Sequence, residues 1–268
     1  DLLFMLFRKE TPAWQCSAID IADGKEVWQS PRDVPQSGNP SMITLAAGGI
    51  AWSRLNRIAC LSKETGNPVW IKKTEPEENV SVVSMLGDVL CAASEKNIYA
   101  FNTSTGKRLW TRSLPEQAGY GNRQRLLELD DRRVYVTAHA GFGKNGLYCL
   151  DICNGKVLWQ SPAGVPFQIQ AVQGRVYVRS NSIKALDARN GEPLWRASLG
   201  GCGPISFSMG KLYAVDSADR RQLVALDTGS GKTTWQRSAF AACNGIVADG
   251  KIGFVSGNDK VLHAVALN

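Results

Sequence analysis

One phrase recurs six times along the chain, and it restricts the fold more than any other feature. The copies are AIDIADGKEVW (18–28), CLSKETGNPVW (60–70), AFNTSTGKRLW (100–110), CLDICNGKVLW (149–159), ALDARNGEPLW (185–195) and ALDTGSGKTTW (225–235). In each, a glycine is followed four residues later by a tryptophan. The pairs are Gly24/Trp28, Gly66/Trp70, Gly106/Trp110, Gly155/Trp159, Gly191/Trp195 and Gly231/Trp235. Six of the eight Trp residues are used in this way. Self-similarity at a period of about 40 residues marks a repeat architecture.

Each repeat carries four short strand-like runs, and PISFSMG, KLYAVDS, QLVALD and TTWQRS show them well. Runs rich in Val, Ile, Leu and Tyr, bounded by Gly and Asp, read as strands joined by tight turns. The first two of these strands meet at Gly210-Lys211, with similar signals at Gly87-Asp88, Asp130-Asp131, Gly174-Arg175 and Asp249-Gly250-Lys251. No segment has sustained helical periodicity. Four antiparallel strands, A to D, per 40 residues predict an all-β chain built as a β-propeller.

The repeated phrase has a physical reading within such a blade. Glycine takes the positive φ of a tight C–D turn. The residue before it is Asp23, Thr65, Thr105, Asn154, Asn190 or Ser230, all turn formers. Four before it stands Asp20, Ser62, Asn102, Asp151, Asp187 or Asp227, whose side-chain oxygen accepts bonds from turn N–H groups. The Trp then falls on strand D, where its ring packs on the neighbouring blade and its indole N–H bonds across the junction. The slot at the head of each copy holds Ala18, Cys60, Ala100, Cys149, Ala185 or Ala225, which calls for a small apolar side chain.

The ends are ragged. The first piece offers B (LLFMLFRK), C (WQCSAIDI) and D (EVWQS) strands but no A. The last offers A (NGIVADG), B (KIGFVSG) and C (VLHAVALN), with Asn268 in the turn-Asp slot. About 26 strands are expected. We read residues 1–268 as one propeller domain of seven blades, clipped at both ends from a slightly longer protein. Six blades, or part of an eight-bladed ring, are the alternatives. The opening LLFMLF is too short for a signal h-region and reads as a strand. No apolar run approaches a membrane span.

The pattern A-x-D-x-x-T-G-x-x-x-W resembles the PQQ-like, or quinoprotein-type, propeller repeat with its tryptophan-docking motif, and the resemblance covers nearly all of the chain. It implies fold more strongly than function. Quinoprotein dehydrogenases of this type carry PQQ and Ca²⁺, held by an adjacent Cys-Cys pair, an Asp base and carboxamide and carboxylate ligands. This sequence has no Cys-Cys dipeptide and short loops. We therefore expect no enzyme and no cofactor, with PQQ and Ca²⁺ implied by the resemblance alone. The closer resemblance is to the non-enzymatic members, the outer-membrane assembly factor BamB and the propeller sensor domains of bacterial kinases. These imply a scaffold for protein–protein interaction or sensing.

The net charge is +7. Basic residues outnumber acidic ones about twofold in the D–A and B–C loops: Arg54, Arg57, Lys96, Arg123, Arg125, Lys144, Arg179, Arg220 and Arg221. Such a face would attract an acidic protein, or an anionic ligand or glycan. A monomer is expected, and no nucleic acid. Cys202 and Cys243 open strand A in successive blades, which would put two thiols at the channel mouth, as a pair or as fillers beside Gly. Trp52 reads as a buried strand Trp, with sugar stacking as its alternative. The two His, His139 and His263, lie on different strands, and no Cys-x-x-Cys is present, so triad and zinc chemistry find no support. AGFGKNG (140–146) is Gly-rich but lacks phosphate-loop spacing; a binding loop remains its functional reading. The compartment is open: the resemblance points to the bacterial envelope, and seven Cys point weakly the other way.

Overall fold

The structure is a computed structural model. It describes residues 1–8, 14–31, 43–46, 48–75, 77–94, 96–114, 126–138, 146–162, 166–199, 204–216, 222–238, 243–257 and 261–267. Among these there are 26 strands in seven antiparallel sheets. The first sheet has three strands, β1 (Leu2–Arg8), β2 (Trp14–Asp20) and β3 (Glu26–Gln29). Five four-stranded sheets follow. The second is β4 (Ile43–Ala46), β5 (Gly49–Arg54), β6 (Arg57–Leu61) and β7 (Pro68–Lys73). The third is β8 (Val80–Leu86), β9 (Val89–Ser94), β10 (Asn97–Asn102) and β11 (Arg108–Ser113). The fourth is β12 (Leu127–Leu129), β13 (Arg133–Ala138), β14 (Gly146–Asp151) and β15 (Val157–Pro162). The fifth is β16 (Gln168–Val172), β17 (Arg175–Arg179), β18 (Ile183–Asp187) and β19 (Pro193–Ala197). The sixth is β20 (Ile205–Ser208), β21 (Lys211–Asp216), β22 (Gln222–Asp227) and β23 (Thr233–Ser238). The last has three strands, β24 (Cys243–Asp249), β25 (Ile252–Gly257) and β26 (Leu262–Ala266). The A-less first sheet and D-less last sheet are those the sequence calls for.

Two compact units divide the chain, Asp1–Leu158 and Trp159–Asn268, with β15 running across the division. In the first unit, one apolar cluster joins sheets one and two through Cys16, Ile50, Trp52, Ala59 and Leu61, with Phe4 and Trp28 against them. A second joins sheets two and three around Trp70, and a third joins sheets three and four around Trp110. In the second unit, one cluster joins sheets five and six, with Trp195 packed on it, and another joins sheets six and seven, with Trp235 packed on it. Within each unit, apolar burial thus sits between successive sheets.

The C–D turn has the same hydrogen bonds in every copy. The glycine N–H donates to the carbonyl four residues back, as in Gly106 to Asn102 and Gly191 to Asp187. The Asp, Asn or Ser side chain accepts from the turn: Asp20 from Ala22 N–H, Asp151 from Cys153 and Asn154, Asp227 from Ser230. The pre-glycine residue accepts from the residue after the glycine, as Asn154 does from Lys156 N–H at 2.8 Å. All six glycines have φ near +70°.

Register explains the small slot. Tyr177 pairs with Ala185, and Ala185 with Trp195. The two rings meet over the small residue at 5.8 Å, as Phe4 and Trp28 do across Ala18. A longer side chain at the centre would hold them apart. Strand D then carries a bulge just before the Trp, at Ala18/Ile19, Cys60/Leu61, Ala100/Phe101, Ala185/Leu186 and Ala225/Leu226. The bulged residues Val27, Val69, Leu109 and Leu194 are exposed.

Two turn placements differ from the sequence reading. The A–B turns fall at Met209-Gly210 and Gln173-Gly174, one residue earlier than expected, because Ser208 pairs with Lys211 and Val172 with Arg175. Both central residues have positive φ, the mirror-image turn that matches strand twist. In the last sheet Ile252 pairs with Ala266, and Leu267 N–H donates to Lys251 C=O. The third sheet shows the same geometry where Val89 pairs with Asn102 and Thr103 N–H donates to Asp88 C=O. Ala266, and not Asn268, therefore holds the turn-Asp position.

Candidate functional site

Five of the six docking Trp residues, Trp28, Trp70, Trp110, Trp159 and Trp195, make the same two contacts with the next blade. Each indole N–H donates to a backbone carbonyl three residues before that blade's turn glycine. Trp28 bonds Lys63 at 2.8 Å, Trp70 bonds Thr103 at 2.6 Å and Trp110 bonds Ile152 at 2.8 Å. Trp159 bonds Ala188 at 2.9 Å and Trp195 bonds Thr228 at 2.8 Å. Each ring lies flat on the glycine itself. A Cβ added to Gly66 would sit 2.3 Å from Trp28, and one on Gly155 would sit 2.6 Å from Trp110. Gly106, Gly191 and Gly231 are covered in the same way by Trp70, Trp159 and Trp195. Gly24 is open, with nothing within 4 Å. Glycine is thus required twice over, for its φ and for the ring above it, and the sequence argument supplied only the first reason.

At the opposite end of the third sheet, one D–A loop and one B–C turn are joined by a carboxylate that the sequence reading did not single out. Glu78, in the loop between β7 and β8, accepts from Ser94 Oγ, from Asn97 Nδ2 at 2.8 Å and from the Tyr99 hydroxyl at 3.1 Å. Ser113 Oγ donates to Asn97 Oδ1 at 2.7 Å. Burial, then the adjacent Glu78 carboxylate, pushes the Tyr99 phenol up. Glu78 locks the β7–β8 loop onto the β9–β10 turn, fixing that part of the loop platform.

Of the basic residues assigned to that platform, Arg54 and Arg57 close the β5–β6 turn in register with each other; Arg54 is half-buried and Arg57 exposed. Lys96 is exposed at the β9–β10 turn. Arg179 is a different case. It ends β17 but is fully buried, and its carbonyl accepts from Phe167 N–H at 2.7 Å. Its guanidinium therefore does not belong to an accessible face. Arg123, Arg125, Lys144, Arg220, Arg221, Cys202, His139 and most of the 140–146 loop lie outside the described residues. Cys243 begins β24. Trp52 is buried at the junction of sheets one and two, so it offers no stacking surface for a sugar.

Cys16, Cys60, Cys91 and Cys149 are buried, and Cys153 is exposed in a C–D turn. Burial pushes Cys16 up to about 11 and Cys149 up to about 12. At pH 8 a thiol with a pKa near 12 is about 0.01% thiolate. Brief native labelling with iodoacetamide is therefore expected to modify Cys153 while sparing Cys16, Cys91 and Cys149, as read by peptide mass spectrometry. Equal labelling of Cys149 would contradict its packing role.

Among the described residues, no group of three or more His, Cys, Asp or Glu side chains converges. The donor set that the quinoprotein resemblance implies for Ca²⁺ is not assembled there, and no step through PQQ is derived. Among the described residues no helix is long and apolar enough to cross a membrane.

The repeat and its docking ties match a family model described as outer membrane protein assembly factor BamB, over residues 15–181 and 179–268. The chain belongs to the BamB family. A curated BamB from Kangiella koreensis is 29% identical over 102 residues, 37% of this chain and 26% of that protein's length. The match thus spans about a quarter of this curated relative. Among solved structures, BamB from Moraxella catarrhalis superposes with a TM-score of 0.69 at 14% identity, covering 99% of this chain and 88% of that one. The computationally designed protein Ika8 superposes with a TM-score of 0.62 at 13% identity, covering 99% and 95%. These likenesses show the fold, a β-propeller, and seven sheets serve as its blades here.

Proposed function

We propose that this chain is a non-catalytic scaffold in outer-membrane protein assembly, engaging a protein partner through its D–A and B–C loops. The observation that carries the reading is the BamB family match, which runs from residue 15 to residue 268. Two features support it. The blades are tied by repeated structural contacts, as a rigid scaffold requires. The Glu78 network fixes the β7–β8 loop against the β9–β10 turn, and Arg57 and Lys96 are exposed at the loop end. A basic platform favours an acidic partner surface and speeds its encounter. No cofactor enters the reading, and its place is the bacterial envelope.

The test is photocrosslinking in a Gram-negative bacterium. A crosslinking amino acid replaces exposed Arg57 at the loop platform or exposed Lys107 at the C–D turns. Adducts to an outer-membrane assembly component from position 57, absent from position 107, are the expected result. Charge reversal of Arg123, Arg125, Arg220 and Arg221 to Glu should reduce those adducts about 10-fold, equivalent to about 1.4 kcal/mol, with unfolding unchanged. Adducts from position 107 alone, or an unaltered yield in the quadruple variant, would refute the loop-face assignment.

A further inference from the structure

We infer that Leu55, at the tip of the β5–β6 turn, is an apolar anchor that enters an apolar pocket on the protein partner, with Arg54 and Arg57 meeting carboxylates at the rim of that pocket. It rests on the reading that these loops engage a protein partner, and every residue it uses lies in the first unit.

Three observations meet at Leu55. The first is its backbone. Leu55 has φ +48°. A bulky side chain rarely takes that conformation, which glycine and asparagine tolerate far better. Among the described residues the other two non-glycine residues with positive φ, Gln173 and Met209, each precede a glycine in an A–B turn. The β5–β6 turn is closed by Arg54 pairing with Arg57 and holds Leu55 and Asn56, with no glycine. Strain of this kind gathers at functional sites, where the surrounding structure holds it.

The second is exposure. Leu55 is 58% exposed, so burial in its own fold offsets little of the strain. By contrast, the β9–β10 turn presents Lys96, and the segment between β17 and β18 is Ser180-Asn181-Ser182. A lone exposed leucine is ordinary on a protein surface. One that is also held at positive φ is unfavourable on both counts. Asparagine at this position would relieve both, so folding stability does not account for the leucine.

The third is support. Val80 N–H donates to the Leu55 carbonyl at 2.6 Å, and Thr74 N–H donates to the Asn56 carbonyl at 2.8 Å. Thr74 Oγ1 also bonds the backbone of Glu78, donating to its carbonyl at 2.9 Å and accepting from its N–H at 3.0 Å. The Glu78 side chain is in turn held by Ser94, Asn97 and Tyr99 of the third sheet. The turn is therefore braced before any partner arrives, and a braced anchor loses little conformational entropy on binding. The charges around it define the rim. Arg54 and Arg57 flank Leu55, and Lys96 is exposed on the β9–β10 turn that Glu78 holds. Of the carboxylates in the β7–β8 loop, Glu78 is taken by its own network and Glu77 pairs with Lys73 at 3.5 Å, while Glu75 is exposed. Among the described residues, cations thus outnumber open carboxylates at this turn, which favours acidic residues beside the partner's pocket.

The test adds Leu55→Asn and Leu55→Met to the crosslinking experiment with its reporter at position 57, a site that replaces one rim cation and leaves the anchor in place. Asparagine tolerates positive φ, so the urea midpoint of Leu55→Asn is expected to stay level or rise. Adducts to the outer-membrane assembly component should nevertheless fall at least about 10-fold. Leu55→Met restores an apolar side chain and should recover most of the yield. With Leu55 present, the crosslinked partner peptide, sequenced by mass spectrometry, should come from an apolar pocket bordered by Asp or Glu. An unchanged yield from Leu55→Asn would overturn the anchor and leave the loop-face reading standing. So would a lowered urea midpoint, which would make Leu55 part of the packing of its own fold, or a crosslink to a wholly polar patch. No adduct from position 57 with Leu55 present would defeat the loop-face reading itself, and the anchor with it.

Discussion

Trp110→Ala is expected to lower the unfolding free energy of the first unit by about 3–5 kcal/mol, the range for deleting a buried Trp side chain. The ring is buried in the cluster that joins sheets three and four, among Val82, Leu127, Leu129 and Val134. Its removal opens a void between two sheets that share few backbone bonds, so collapse can fill little of it. It also strips the Ile152 carbonyl of an indole donor at 2.8 Å. Trp110→Phe separates the two contributions. It retains most of the ring and loses the N–H, so about 1–2 kcal/mol should go. Urea unfolding followed by fluorescence of the remaining Trp residues reads both. A loss below about 1 kcal/mol for Trp110→Ala would mean the ring is not what ties these blades.

Gly155→Ala is expected to cost about 3 kcal/mol, and its size can be taken apart. Gly155 has φ +69°, a conformation worth about 1–2 kcal/mol to an L side chain. The remainder is the Cβ forced to within 2.6 Å of the Trp110 ring, an overpacking strain of about 1–3 kcal/mol. Gly24→Ala is the internal control: its φ is +71°, and nothing lies within 4 Å. It should cost only the backbone share. In a Trp110→Ala background the penalty of Gly155→Ala should fall to the Gly24→Ala value, because the ring is gone. That coupling is the signature of direct contact. Equal costs for Gly155→Ala and Gly24→Ala in the wild-type chain would refute it.

What the sequence made legible follows from how local each feature is. The C–D turn is closed by residues within six positions of one another, so its Asp, its pre-glycine acceptor and its glycine were all readable. The role of Trp on the neighbouring blade was readable because it recurs six times. Two of the A–B turns were placed one residue late, while Gly87-Asp88 stands at its corner as read: Gly210-Lys211 looks like a turn pair, yet the Ser208–Lys211 pairing puts Met209 and Gly210 at the corner. Asn268 was misassigned for a similar reason. ALN resembles ALD, but the two-residue Gly250-Lys251 turn sets a register in which Ala266 takes the slot.

The candidate face was legible only in part. Arg54 and Arg57 lie at the β5–β6 turn as read, while Arg179 is buried although it stands at a strand end like them. Glu78 went unnoticed because its partners Ser94, Asn97 and Tyr99 belong to the next blade. A lone loop carboxylate gives no sign of that in sequence. Arg123, Arg125, Lys144, Arg220 and Arg221, five of the nine basic residues of the proposed face, lie outside the described residues.

The docking ties have a consequence for how the chain reaches its fold. The donor and acceptor of each tie lie 35, 33, 42, 29 and 33 residues apart, about one repeat in every case. The loop-closure entropy for joining one blade to the next is therefore nearly the same at each step, since it grows only with the logarithm of loop length. Folding behaves as nearest-neighbour growth along a line: a pair of adjacent blades can start it anywhere, and each later blade adds on similar terms. Contacts of this short sequence range favour fast folding for an all-β chain. The same locality lets a lineage lengthen or shorten such an array by whole repeats without rewriting the ones that remain.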